Sequence, residues 1–402
     1  MRWTGGQLAM RQRAAPATVP VRAAGAQADN KPSVFVLRSC EAPLPAGADN
    51  VQVGALTRLS PHQNPQRIVL LADTGCRMKQ SEAAFQDCND AAHWPLAALA
   101  RSAAAQRPDL VIHMGDLHYR ESPCPDGRSG CAGSPWGYGD DAWQADFFKP
   151  AAPLLAAAPW LFVRGNHESC TRAGVGWFRY LDARDSRPTM SCEDPANDAS
   201  AEFTEPFAVP LGDDTQLIVF DSAFSSGRAY MPTDPAFVRY TAQMQQVARL
   251  ATGRPHNLFL NHHPVLAFGG SANGAPKPGS AGLHSVLATS SPQHLFPAGI
   301  DAVLNGHVHL FEALDFSSPH PAELLVGNGG SAMEGRLDAA AARKAQPAPG
   351  AVVRTLVTHP SFGFATLERN GTRWNITAWS VDGQALQRCT LDGSRLDCAP
   401  GQ

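Results

Sequence analysis

Oxygen and nitrogen donors recur along this chain in short clusters, each placed directly after an apolar run. Asn305-Gly306-His307-Val308-His309 follows Ala302-Val303-Leu304. In extended backbone alternate side chains point to one side, so two imidazoles one residue apart could offer ring nitrogens to one place. Upstream, the run from Arg67 ends at Asp73, and Leu110-Val111-Ile112-His113-Met114 leads into Gly115-Asp116, with Tyr119 three residues on. Trp160-Leu161-Phe162-Val163 passes through Arg164 into Gly165-Asn166-His167-Glu168, and Leu258-Phe259-Leu260 runs into Asn261-His262-His263-Pro264.

Asp73, Asp116, Tyr119, Asn166, His167, His262, His263, His307 and His309 together form a carboxylate, phenol, amide and imidazole set that needs no thiolate. Such a set suits hard to borderline ions such as iron, manganese or zinc. It exceeds what one ion can use. Two ions sharing a bridging carboxylate would employ most of it, and paired metals are a common clamp for phosphoryl displacement.

To converge, these residues need a scaffold that brings strand ends together. Six apolar runs, the sixth being 217–220 before Asp221, read as buried strands delivering polar residues at one end. Ala-rich stretches at 90–106, 141–158 and 234–252 read as helices, the last with Pro235 near its start and Gly253 just beyond its end. Strand and helix alternation predicts an α/β layered fold with its site at the strand ends. Beyond Gly306 the pattern turns to β, with strands expected at 312–316, 323–326, 351–358, 363–368 and 372–380. Residues 1–65, punctuated by Pro, Gly and Ala, read as a leader and small β-rich appendage with short apolar runs at 33–37 and 51–56. Residues 66–402 read as the catalytic domain, ending in a disulfide-tied tail.

The 402 residues are 44% hydrophobic and 17% charged, enough for a large core. A net charge of -3 without a long basic run argues against nucleic acid as a partner. No stretch has the apolar length of a membrane span. Eight of the 9 cysteines fall into close pairs, Cys76 with Cys88, Cys124 with Cys131, Cys170 with Cys192 and Cys389 with Cys398, leaving Cys40. That spacing suggests four local disulfides and an oxidising compartment, periplasmic or secreted. The first 31 residues lack the three-part secretory pattern, so a signal is expected upstream of the given start.

In order and wording these clusters resemble the calcineurin-like metallophosphoesterase superfamily, and within it the purple acid phosphatases: an early strand-end Asp, Gly-Asp-x-x-Tyr, Gly-Asn-His-Glu, a His before Pro, and Gly-His-x-His. The resemblance spans Arg67 to about Glu312. It implies a four-layer α/β/β/α sandwich and hydrolysis of phosphate monoesters, small-molecule substrates, by metal-bound hydroxide. The first ion would be held by Asp73, Asp116, Tyr119 and His309, the second by Asn166, His262 and His307, with Asp116 bridging; the metals would be iron with iron, zinc or manganese. His167 would bind phosphate or protonate the leaving alkoxide, and His263 is a further substrate contact. Many superfamily members carry a histidine where this chain has Gly75, a loss that Tyr119 would offset, and Arg164 stands next to a candidate anion site. His113 reads as a core histidine and His118 as a cleft residue. The loops 124–139 and 170–192 would wall the cleft, and Gly327-Asn328-Gly329-Gly330 would turn close to the metals. Two other readings stand beside this one: a phosphodiesterase on the same fold acting on cyclic nucleotides or phospholipid head groups, and a secreted binding protein that has lost the chemistry.

Overall fold

A computed structural model describes residues 2–3, 6–7, 10–21, 31–44, 50–53, 56–59, 62–184 and 190–399. Its centre is a pair of seven-stranded mixed sheets. Their strands, in chain order, are β1 (Arg67–Leu71), β2 (Leu110–His113), β3 (Trp160–Phe162), β4 (Phe207–Leu211), β5 (Thr215–Val219), β6 (His256–Leu260), β7 (Ile300–Asn305), β8 (Phe311–Phe316), β9 (Ala322–Val326), β10 (Val353–His359), β11 (Gly363–Asn370), β12 (Arg373–Ser380), β13 (Ala385–Asp392) and β14 (Arg395–Cys398). One sheet has the order β3-β2-β1-β11-β12-β13-β14 and the other β4-β5-β6-β7-β9-β8-β10. Within the first, β1, β2 and β3 are parallel; within the second, β5, β6, β7 and β9 are. All six expected strands therefore lie in the two parallel sets.

The continuous apolar runs follow from burial on both faces. Ile68 and Leu70 of β1 enter the core between the sheets with Ala302 and Leu304 of β7, while Val69 and Leu71 face outward. There they meet Leu99, Ala100 and Ala103 of helix α1 (Leu96–Ala105). Outside the second sheet, α2 (Pro235–Leu250) buries Phe237, Tyr240, Met244 and Val247, a helical stripe, beside Leu283, Val286 and Leu287 of α3 (Ala281–Ser290). Pro235 opens α2, and the Ser280 hydroxyl caps α3 by accepting from Leu283 N at 3.3 Å. The result is helix, sheet, sheet, helix. Each fully buried Leu or Ile in such a core contributes roughly 1.5–3 kcal/mol.

Two expectations change. The stretch 141–158 is not one helix but three short pieces, Asp140–Trp143, a wide turn at Gln144–Phe148, and Ala152–Leu155; the widening lets Asp146 turn inward. The C-terminal tail is two further strands, β13 and β14, with Cys389 directly opposite Cys398 in the ladder. All four cysteine pairs are disulfides and Cys40 is free and exposed. Among the described residues, no helix is long and apolar enough to cross a membrane. Of the N-terminal runs, Ser33–Phe35 and Asn50–Val53 form strands, as do Arg11–Ala14, Ala17–Val19 and Ser39–Glu41, while residues 22–30 and 45–49 are among those outside the described residues.

Two carboxyls on the helix side of the second sheet tie it to the chain that follows β6. Glu323 accepts from Leu266 N at 3.0 Å and from Asn305 Nδ2 at 2.8 Å, and Glu312 accepts from Phe268 N at 3.0 Å. Both are fully buried. Burial raises the Glu323 pKa to about 8, against the opposing pull of its hydrogen bonds, and raises Glu312 further with help from Glu323. A carboxyl held protonated in the fold binds a proton that the unfolded chain gives up. Stability is therefore full at low pH and falls as pH rises from about 5 to about 8. Thermal unfolding across that window should show the fall in the wild type and a flatter profile in Glu323→Gln; parallel profiles would refute the assignment.

Candidate metal centre

The parallel strands of both sheets end at one edge, and the backbone there is forced. Asp73, Asp116 and His307 have φ of 54°, 57° and 74°, three of the six non-glycine residues with positive φ among the described residues. Side chains disfavour this region, and it persists where surrounding bonds overdetermine it. Here Asp73 N donates to Gly115 O and Thr74 N to Asp116 O, each at 3.0 Å, Ser331 N donates to Asp73 O at 2.8 Å, and His307 N donates to Asp73 Oδ2 at 2.8 Å. Gly115, at φ 95°, turns the chain where a Cβ would lie 2.7 Å from His262 Nδ1. Gly165 is needed for a different reason: its Cβ would meet Asp116 Oδ1 at 2.2 Å.

This geometry corrects the strand reading of the two histidines. β7 ends at Asn305, and the positive φ at His307 breaks the alternation. The rings diverge. His307 Nδ1 lies 3.1 Å from Asn166 Oδ1, whereas His309 Nε2 lies 2.9 Å from Tyr119 Oη and 3.3 Å from Asp73 Oδ1.

Asp116 sits between the two groups. Its Oδ2 accepts from Tyr119 Oη at 3.0 Å and faces His262 Nε2 at 3.0 Å, and its Oδ1 accepts from His167 N at 2.8 Å. Tyr119 Oη also approaches Asp73 Oδ1 at 2.9 Å, so one phenolic proton serves three acceptors. Asp116, His262 and His307 each offer a ligand atom, all within 4.8 Å of one another. Backbone carbonyls orient the rings: Nδ1 of His262 donates to Met114 O at 2.8 Å and Nδ1 of His309 to Ala332 O at 2.6 Å, leaving each Nε2 turned to the centre. His262 Nε2 is buried without a hydrogen bond, since its approach to Asp116 is close but not directed. Burial lowers the His262 pKa, yet Asp116 opposite outweighs that and lifts it to about 9. The site attracts positive charge, and its donors fit metal ions.

A second ring of buried acids holds the loops, and the sequence reading gave none of them a role. Glu168 accepts from the backbone N–H groups of Asp116, Leu117, His118 and Gly165 at 2.8–3.2 Å. Burial and the nearby Asp116 raise its pKa to about 7 against those bonds. Asp146 accepts from Cys76 N, Tyr119 N and Arg120 N and pairs with Arg120 Nε at 3.0 Å. Glu121 lies 3.0 Å from His167 Nδ1 and is clasped by Arg172, whose Nε is 3.1 Å from its Oε2. Glu168 belongs to the Gly165-Asn166-His167-Glu168 motif, whereas Asp146, inside an Ala-rich stretch, carries no local signal.

The remaining candidates fall in distinct places. His263 packs on His307 with ring centroids 4.3 Å apart, its Nδ1 3.2 Å from Ser222 Oγ. His113 is a core histidine, bonded to Thr74 Oγ1 and Gly115 N. His118 does not line the cleft; it is buried against Tyr138 and Trp143. Arg164 turns away from the centre to Glu202, Asp221 and the backbone of Glu168 and Ala201, because those buried acceptors lie behind the loop. The cavity above the centre, ≈ 420 Å³, is walled by segments around residues 77–82, 166–172, 264–280 and 307–309, not by the loop 124–139; the loop closed by Cys170 and Cys192 contributes Arg172. Gly327 comes within reach of Asp73, where its Cβ would lie 3.1 Å from Oδ2, so the glycine turn does pass close to the centre.

Comparison with known proteins identifies the family and the fold. A family model described as calcineurin-like phosphoesterase matches residues 66–311. No curated protein matches the chain in sequence. Similar solved structures include the purple acid phosphatase PPD1 from yellow lupin (Lupinus luteus) seeds, at 14% identity and TM-score 0.50 over 83% of this chain, and PhoD, at 13% identity and TM-score 0.53 over 91% of this chain and 75% of that one. This chain spans 55% of the lupin protein's length.

Gly75 gives a direct check of the packing. A Cβ there would lie 2.6 Å from Asp146 Oδ2, 2.7 Å from Leu117 O and 2.8 Å from Tyr119 Cδ2, so no histidine fits at this position. Gly75→Ala should cost about 1–3 kcal/mol of stability in denaturant unfolding. A neutral result would mean that the Tyr119 loop is not packed this way.

Proposed function

The chain belongs to the calcineurin-like phosphoesterase family, and from that premise we propose that it is a dinuclear-metal phosphomonoesterase of the purple acid phosphatase type. The division of donors about Asp116 carries the reading: Asp73, Tyr119 and His309 converge on one side, His262, His307 and Asn166 on the other. Asp73, Asp116, Tyr119 and His309 would hold one ion and Asn166, His262 and His307 the second, with Asp116 shared. Iron beside Tyr119, with iron, zinc or manganese opposite, is the content we assign. When bound, the ions supply Lewis-acid activation of water and neutralise phosphoryl oxygens.

The chain's own groups do the rest. His167 is held through Nδ1 by Glu121 and by His118 O at 3.0 Å, and its Nε2 lies 2.7 Å from Arg172 Nη2 and 3.8 Å from Asp116 Oδ2, on the cavity floor beside the place of a phosphoryl group. Burial and Arg172 lower its pKa, which favours a place in the phosphate-binding wall over the role of proton donor. Arg172 brings a guanidinium to the cavity wall beside His167 and Asn166. His263, packed on His307, takes a supporting place. Four local disulfides suit a periplasmic or secreted enzyme.

Metal analysis should find two ions per chain, both lost in Asp116→Asn and one in His307→Ala, with kcat reduced at least about 10²-fold in each. Tyr119→Phe should abolish any visible absorption band. Full metal content and activity in Asp116→Asn would remove the assignment. Nitrophenyl phosphate should be hydrolysed faster than bis(nitrophenyl) phosphate, and the reverse order would replace the monoesterase reading with the diesterase one.

A further inference from the structure

The cavity over the centre carries cations that the hydrolytic chemistry does not use. Arg77 and Lys79 stand on one wall, on and beside the small hairpin of Met78–Lys79 with Ala84–Phe85, which the disulfide between Cys76 and Cys88 clips at its base. They are two residues apart and share a single carboxylate, Glu82, which pairs with Arg77 and lies 2.8 Å from Lys79 Nζ. Lys277 stands on the other wall, in the hairpin of Phe268–Gly269 with Lys277–Pro278, and makes no ion pair among the described residues. That hairpin is anchored by Ser271 N donating to Arg336 O at 3.1 Å and by Asp338 N donating to Gly274 O at 2.9 Å. The stretch is thus an ordered wall and not merely a flexible linker. Counting the mouth, three cations (Arg77, Lys79, Lys277) face two carboxylates (Glu82, Glu334), a net of +1 before any metal is bound.

The volume matters as much as the charge. A cavity of ≈ 420 Å³ lies in the range of pockets that enclose an organic ligand, so it has room for a leaving group above the phosphoryl group. The phosphoryl group would occupy the floor, among Asn166, His167 and Arg172. Cations on both walls then lie where the leaving group must pass. An unpaired lysine on a long stem suits an anion whose position varies, since its ammonium is a mobile point charge.

We infer that Arg77, Lys79 and Lys277 form a second-anion subsite, selecting phosphomonoesters whose leaving group carries its own negative charge, a carboxylate or a second phosphate. This rests on the phosphomonoesterase reading and adds a substrate class to it.

A matched pair tests it: 2-phosphoglycerate and glycerol 2-phosphate share a carbon skeleton and differ in a carboxylate against a hydroxymethyl group. With the full chain and defined metals, kcat/KM should favour 2-phosphoglycerate by about tenfold at low ionic strength, and that ratio should shrink as salt screens the subsite. Lys277→Ala and Lys79→Gln should each lower the ratio about threefold to fivefold. A ratio near one in the wild type, or one that neither substitution moves, overturns the subsite while leaving the hydrolase reading intact. Turnover of neither compound counts against the hydrolase reading; the same pair measured by calorimetry as dissociation constants then decides the subsite, with equal affinities overturning it.

Discussion

Two buried carboxylates converge on one phenolic hydroxyl, and much of the molecule exists to make that arrangement tolerable. Asp73 and Asp116 are fully enclosed, and Tyr119 has a single proton to divide between them and His309. Removing carboxylates from water costs several kcal/mol apiece unless positive charge or hydrogen bonds replace the hydration. The backbone supplies part of this through His167 N and His307 N. The imidazoles around them are positioned to share a cation with the carboxylates, so affinity for metal is the counterpart of the electrostatic cost of folding. The same argument accounts for the burial: a wet site would screen the carboxylates from each other and weaken their hold on ions.

Around this centre, acids act as organisers of backbone as well as ligands. Glu168 gathers four N–H groups from two loops, and Asp146 gathers three from the Asp73 and Tyr119 segments. A carboxylate accepts several bonds in many directions, which lets one residue fix turns that neither strand nor helix can fix. Glu312 and Glu323 do the same for the chain after His262, with burial raising the pKa of each. The left-handed conformations at Asp73, Asp116 and His307 are the local cost of aiming side chains inward from strand ends, offset by this cage of bonds.

Much of this was legible in the residues. The runs before Asp73, Asp116, Asn166, His262 and His307 are predominantly apolar because sheets covered on both faces demand it, and the donor types follow from the ions they suit. The disulfides were readable because each closes a short loop. What was not legible depends on contacts distant in sequence. His307 and His309 seemed to share a face because alternation was assumed to continue past Asn305, whereas a hydrogen bond from His307 N to Asp73, remote in sequence, bends the chain there. Asp146 sat in an Ala-rich stretch whose composition favours helix, and the buried N–H groups that turn it inward belong to other segments. Arg164 neighbours the site in sequence, yet its length lets it reach Glu202 and Asp221 behind the loop. Gly75 looked like a missing ligand and is instead a place where no side chain fits.

The position of β1 also has a consequence for how the molecule comes together. It lies between β2 and β11, with Arg67 Nε bonded to Glu368 Oε1 across a separation of 301 residues. Its inner neighbour therefore does not exist until nearly the whole domain has been synthesised. Contacts of such high order make for slow folding, and an apolar strand waiting for its partner is open to wrong pairing. The disulfides, by contrast, span separations of only 7 to 22 residues and can close early. The cross-links thus pre-shape the surface loops while the strand bearing Asp73 is still unpaired on one edge, and the centre is assembled last, when the end of the chain closes the sheet that supports it.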